Sequence, residues 1–352
     1  MNDRPAAHGA REAMGLRCVS DLNLRQPRLL RRAKPLLGTL VEIACAVPGQ
    51  GHSGMCSGVN SAPSHGSPTR PCADAALAAS EAGFAAVARV HRLMSRHEAA
   101  SDVSRFNAAA PGQWTAVAPE TLIVFAFVLQ LSAQTGGIFD VCAACNEDGA
   151  GPTQTGQTLP GSWRDVEIDL QRGALRKHAL LRADLGGVAK GYAVDAAVHA
   201  MQQVNGENIE GQIGWVNAGG DLRVFGDLEI PVRVRLPQNL SGTVACTSLR
   251  DRAAATSASY LACESPTPEL LPGGRAQWPQ LAPLPKVARP ALLGQLAQLR
   301  HGISRQPVAH GKSWTVAAPH CMAADALTKL VAATGDVQHP LLAHYAAQAW
   351  IF

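Results

Sequence analysis

The chain has 352 residues, 47% of them apolar and 16% charged, which excludes a disordered chain and leaves room for one large domain or two modest ones. Net charge is +4, but residues 1–34 hold eight Arg/Lys against Asp3, Glu12 and Asp21, so the tail carries 8 − 3 = +5 and the remainder 4 − 5 = −1. A near-neutral body lacks the electrostatic footprint of a nucleic-acid binder, and nine cysteines without regular spacing read as reduced thiols, the Cys142/Cys145 pair included, rather than a disulfide framework.

Residues 1–34 read as a basic flexible tail, and 35–352 as the folded part. No apolar h-region precedes a cleavage site, and the apolar run Leu122–Leu131 is too short to span a bilayer. The sequence as it stands therefore points to the cytoplasm; a periplasmic, membrane-associated location follows only if the N-terminus is misassigned. Gly38–Val47, rich in β-branched residues, is the first expected strand. Residues 48–72 are Gly/Ser/Pro-rich and read as a loop. Ala73–Arg96 is expected to be a helix burying Leu77, Phe84, Val87, Val90 and Met94. A second helix runs from Pro119 to Gly136. After a loop at 143–161, Val166–Ile168 and Ala179–Ala183 read as short strands and Val188–Val204 as a helix. Trp215–Asn217, Leu222–Phe225 and Val232–Leu236 read as strands, 264–295 as a Pro-rich loop, and Met322–Thr334 as a helix closed by Gly335. Separated helices and β runs argue an α+β fold.

The segment Asp184-Leu-Gly-Gly-Val-Ala-Lys190-Gly-Tyr carries the most chemistry. Paired glycines between a strand and a helix let backbone approach a phosphate, the helix N-terminus favours an anion, and Lys190 adds a point charge suited to a pyrophosphate. The same residues also suit a tight turn with a solvated lysine. It is neither a Walker A loop nor G-x-G-x-x-G. Asn217-Ala-Gly-Gly-Asp221 is a second glycine turn. Thr135-Gly-Gly-Ile138-Phe139-Asp140 sets an aromatic and a carboxylate just after a helix. Asp325 and Thr328 share one helix face; such oxygen ligands suit Mg²⁺, though an acid early in a helix also serves the helix dipole. The twelve histidines show no zinc spacing.

Together and in this order, these segments resemble the ApbE family. Leu37-Gly-Thr resembles its opening Met-Gly-Thr strand. Met94-Ser-Arg-His97 and Ser101-Asp-Val-Ser-Arg-Phe-Asn107 resemble the region that follows it. Gly137–Asp140 resembles Gly-Ala-Phe-Asp, and Asp184–Asp195 resembles "DLGGIAKGYAVD". Asn217–Leu222, Thr256-Ser257 and Ala324–Lys329 resemble "NaGGDl", "TSG" and "ADALxT". The resemblance implies a two-lobed, T-fold-related domain with a ligand cleft between lobes. It implies transfer of FMN from FAD to a Thr/Ser hydroxyl of an acceptor flavoprotein, with release of AMP and with Mg²⁺ as cofactor. It implies Mg²⁺ between the Gly187 carbonyl and Asp325. It implies FAD contacts at Leu37, His97, Ile138, Phe139, Asp140, Asp184, Lys190 and Ser257.

The chain departs from the pattern in four places. Lys329 stands where the family has Thr, so either Thr328 takes the ligand role or the Lys329 ammonium neutralises phosphate. His301 stands for an aspartate and Ala258 for a glycine, and residues 48–72 and 264–295 read as insertions. Asp325 and His301 are the candidate catalytic bases. FAD pyrophosphatase activity and non-catalytic FAD binding are the rival readings.

Overall fold

The structure, a computed structural model, describes residues 29–46, 70–143, 159–204, 212–237, 239–258, 269–270, 276–277, 299–308 and 311–352. Residues 1–28 of the expected tail lie outside these, as do most of the expected loops at 48–72, 143–161 and 264–295. Along the chain, β1 is Leu30–Leu36, β2 Thr39–Ala46, α1 Arg70–Met94, α2 Asp102–Ala108, β3 Trp114–Ala116 and α3 Pro119–Gln134. Then come β4 Val166–Asp169, β5 Ala174–Lys177, α4 Ala189–Gln203, β6 Ile213–Ala218, β7 Asp221–Phe225, β8 Glu229–Leu236, β9 Asn239–Arg250 and β10 Ala253–Ala258. The two-residue strands β11 (Glu269–Leu270) and β12 (Ala276–Gln277) pair with each other, and β13 Ser313–Ala318, α5 Cys321–Thr334, α6 Pro340–His344 and β14 Gln348–Ile351 complete the chain.

An antiparallel sheet of order β1-β2-β6-β7-β10-β13-β14 forms the centre. Helices α1, α4 and α5 pack on it. The β8–β9 hairpin packs against a second apolar cluster, where Leu249 meets Val224, Ala254 and Ala317. Strand side chains alternate between faces, so one sheet carries both clusters. A smaller sheet, β3-β5-β4, is backed by α2 and α3. One contiguous core joins both parts, from Val41 and Ile43 through Phe106 and Phe125 to Trp314 and Leu327. This is the α+β class expected, with helices segregated against an antiparallel sheet.

Three expectations are corrected. Residues 30–34 are not tail but most of β1, an edge strand whose pattern alternates half-buried and exposed. Its Arg and Lys content reads as a solvated tail, yet charge is a usual device of edge strands. Ala179–Ala183 is not a strand; the strand lies at Ala174–Lys177. Leu77 is 46% exposed, because the buried stripe of α1 runs back from Phe84 through Ser80 to Ala76, at intervals of four. Cys45, Cys142, Cys246 and Cys321 are free thiols, while Cys145 lies outside the described residues. Among the described residues no helix is long and apolar enough to cross a membrane.

Candidate functional site

Residues Ala183–Val188 carry the chain from the small sheet to α4, and several expected site residues collect along them. Asn107 holds the start of this segment: its Nδ2 donates to the Ala183 carbonyl at 2.9 Å and its Oδ1 accepts from Ala183 N–H at 2.8 Å. Asp184 N–H donates to the Val141 carbonyl at 2.9 Å, which ties the segment to the Ile138–Asp140 turn. Asp184 Oδ1 accepts from Gly186 N–H at 2.8 Å and closes the glycine turn, while Oδ2 lies 3.3 Å from Arg96 Nε. That ion pair brings the neighbour of His97 onto Asp184.

The turn at Gly137–Asp140 docks on the one at His301–Val308. Gly302 N–H donates to the Ile138 carbonyl at 2.8 Å, and a Cβ on Gly302 would lie 2.1 Å from the Gly137 carbonyl oxygen, so this approach needs glycine. His301 Nδ1 accepts from Ser304 N–H at 3.3 Å, within its own turn. Burial pushes the Asp140 carboxyl above its ordinary pKa, against the Cys142 N–H and the Arg305 guanidinium. Beside this turn Trp163 Nε1 is buried with no hydrogen-bond partner among the described residues. Leu37, at φ 56°, and Gly38 make the β1–β2 turn. The next residue, Thr39, abuts Gly219 in the glycine turn that leads into Asp221.

The charged centre lies where α4 meets α5. Asp325 and Asp221 are 1% and 2% exposed. Asp325 Oδ2 accepts from Gly191 N–H at 3.1 Å and stands 3.8 Å from Lys190 Nζ. Asp325 Oδ1 is held by the Lys329 ammonium, which also donates to the Asp325 carbonyl at 3.0 Å. Lys190 Nζ reaches Asp221 Oδ2 at 3.2 Å, as an ion pair without hydrogen-bond alignment, and donates to the Gly186 carbonyl at 3.4 Å. The Asp325 charge, foremost, raises the pKa of Lys190. Burial and then the Asp325 charge lift Asp221 to about 6. Burial also works to raise Asp325, but the two ammoniums and Gly191 N–H outweigh it and hold that carboxyl below its ordinary value.

A divalent ion does not fit this arrangement. Each Asp325 oxygen already accepts a donor, Gly191 N–H on Oδ2 and the Lys329 ammonium on Oδ1, so a cation on Oδ1 would have to displace that ammonium. Thr328 is fully buried; its hydroxyl donates to the Asp325 carbonyl at 2.7 Å, leaving Ser257 to donate to it, also at 2.7 Å. The Gly187 backbone faces Lys329: a Cβ on Gly187 would lie 3.2 Å from Lys329 Cε.

Lys190, Gly187, Asp325, Thr328 and Ser257 are thus gathered in one cluster. Asp184, Ile138–Asp140 and the His301 turn form a neighbouring group, joined to it through the Gly186-Gly187 turn. Two contributors escaped the sequence reading as site residues. Asp221 is one, and its signal is the preceding Gly219-Gly220 pair, at φ 65° and 106°. Asp195 is the other: it accepts from Cys321 and Met322 N–H at 3.0 and 2.9 Å and from Arg223 at 2.6 Å, fixing the start of α5.

Comparison with known proteins adds family and fold. The ApbE family model matches residues 37–263, which is 227 of 352 residues; α5, with Asp325 and Lys329, lies beyond the matched stretch. No curated protein matches the chain. Among solved structures, the ApbE protein of Thermotoga maritima is similar at 20% identity, with 92% of this chain and 93% of that one covered and a TM-score of 0.60. The flavin transferase ApbE of Vibrio cholerae is similar at 18% identity, 92% and 93% coverage and a TM-score of 0.61. The flavinyl transferase ApbE of Pseudomonas stutzeri, in its apo form, is similar at 17% identity, 89% and 86% coverage and a TM-score of 0.59. At these identities the likeness is one of fold.

Proposed function

We propose, from the premise that the chain belongs to the ApbE family, that it is a flavin transferase: it moves FMN from FAD to a Thr or Ser hydroxyl of an acceptor flavoprotein and releases AMP. The observation that carries this reading is the pair of ammoniums, Lys190 and Lys329, set on two buried carboxylates beside the Gly186-Gly187 turn. Two of the similar structures bear the name of flavin or flavinyl transferase, which supports the same reading.

In the reaction the acceptor oxygen forms a bond to the FMN phosphorus, the bond from that phosphorus to the bridging oxygen breaks, and AMP leaves with that oxygen. The hydroxyl proton goes to a base. Positioning and charge stabilisation dominate such transfers. Here Asp221 and Asp325 hold the two ammoniums in place, and the ammoniums offset charge on the pyrophosphate. The Ile138–Asp140 turn, with the buried Trp163 indole N–H beside it, is the second contact region for FAD, and Leu37 and His97 are further FAD contacts by the family resemblance. His301 and Asp325 are the candidate bases; of the two, Asp325 has both oxygens engaged.

The test mixes purified full chain, FAD and a domain bearing an acceptor threonine, and follows AMP release and the intact mass of the acceptor. AMP with an FMN-sized gain on the acceptor is the expected result. AMP with free FMN and an unmodified acceptor would make water the acceptor and the protein a pyrophosphatase. Bound FAD without AMP would leave a flavin-binding protein and sink the catalytic reading.

A further inference from the structure

We propose that the Lys329 ammonium takes the place of a divalent cation beside Asp325, so that this site receives the pyrophosphate of its dinucleotide without a metal ion. The pyrophosphate part rests on the flavin reading above; the cation part rests on geometry alone.

Charge balance gives the first argument. Asp221, Asp325 and Lys190 together sum to −1, a set with a deficit for a cation to fill. Lys329 brings the sum to zero with a covalently attached charge. The second argument is position. Lys329 Nζ sits on the Asp325 carboxylate, and the stem behind it runs past the Gly187 backbone. The Lys329 side chain therefore fills the space between the Asp325 carboxylate and the face of Gly187 on which a Cβ would stand. The third argument is donor capacity. An ammonium has three N–H bonds, and two go to Asp325, one to its carboxylate and one to its carbonyl. The third is uncommitted among the described residues, and the Lys329 side chain is 14% exposed where that of Asp325 is 1%. It is therefore placed to donate to a phosphate oxygen while its other bonds keep it fixed. The spacing makes the arrangement self-contained, because Asp325 and Lys329 are one helical turn apart on α5. The remaining hydroxyl, Thr328, is bound to the Asp325 carbonyl and Ser257.

The experiment compares the wild-type chain with Lys329→Thr, which restores the family-type hydroxyl and leaves the cluster at −1. Lys329→Met keeps the aliphatic stem without the charge and serves should the threonine variant fail to fold. Mn²⁺ binding is followed by electron paramagnetic resonance without nucleotide. FAD binding is followed by flavin fluorescence in EDTA and in Mg²⁺. The expected result is no stoichiometric Mn²⁺ site in wild type and about one per chain in the variant. Wild-type FAD affinity should be the same in both buffers, while that of Lys329→Thr should fall about tenfold in EDTA and recover with Mg²⁺. A wild-type Mn²⁺ site abolished by Asp325→Asn overturns the proposal. So does the absence of a site in both proteins, since the ammonium would then replace nothing, and so does a wild-type FAD affinity that Mg²⁺ raises about tenfold. If neither protein binds FAD in either buffer, the flavin reading fails, and the Mn²⁺ titration alone decides the cation substitution.

Discussion

Asp221 shows what one buried carboxylate does to the pH response. Its pKa of about 6 in the folded chain exceeds the value of about 3.9 expected when unfolded. The native state therefore binds more protons than the unfolded state across that window, and stability falls as pH rises through it. Asp325 has the opposite sign: its lowered value stabilises the fold above the unfolded pKa, and that contribution is lost as pH falls. Asp221→Asn removes the first effect. Urea unfolding should show the variant gaining about 2 kcal/mol relative to wild type between about pH 4 and about pH 6. A constant difference over that range would mean Asp221 does not titrate there. The Gly219-Gly220 pair marks a turn that ends at Asp221, but nothing in that turn foretells a lysine 31 positions upstream beside it. Asp325 and Lys329 are different, because an (i, i+4) spacing on a helix already puts them on one face.

α4 and α5 close each other's ends. Asp195, on α4, accepts from the first N–H groups of α5, and Asp325, on α5, accepts from Gly191 in the first turn of α4. Both carboxylates sit at the positive end of the partner helix, where an acid is favoured. The helices meet at Gly191, where a Cβ would lie 2.4 Å from the Cys321 carbonyl oxygen and 2.8 Å from Asp325 Cβ. Gly191→Ala must push the helices apart, and we expect a loss of about 3 kcal/mol in chemical denaturation, accompanied by weaker FAD binding because Asp325 moves with α5. An unchanged stability would mean the crossing yields at no cost. The helix period located α1, α3, α4 and α5, and Pro119 and Gly335 marked two of their ends. The short elements were harder to read. β1 is basic along an exposed edge, and α2 is only seven residues long, too short for a periodic signal; its N-cap is Ser101, which accepts from Ser104 N–H.

The order of the large sheet decides which distant segments meet. β2, near the start of the chain, pairs with β6, while β13, near its end, lies between β10 and β14. Helices α4 and α5, whose sequences are separated by more than a hundred residues, come together on that sheet. A ligand that spans the Asp325 cluster and the Asp140 turn should stabilise the folded chain by mass action. FAD at about a hundred times its Kd contributes about 2.7 kcal/mol, read as a rise of several degrees in Tm. AMP or riboflavin at the same concentration should raise it less, since each covers only part of the site. No shift with FAD would count against the flavin reading.

Local chain chemistry was enough for the α+β class, the long helices, the glycine junction at Asp184–Lys190 and the resemblance that tied seven segments to one family. These depend on periods, turn residues and short-range order, all written in neighbouring positions. The role of Lys329 was open at that level, because helical spacing allowed both an ammonium near phosphate and a metal site using Thr328. Packing supplies the contacts from which the cation proposal is argued. Gly191 and Lys190 reach one Asp325 oxygen from across the α4–α5 contact, Lys329 holds the other, and Ser257 engages Thr328 from β10. Which donors reach each oxygen depends on residues far apart in the chain, and only the tertiary structure brings them together.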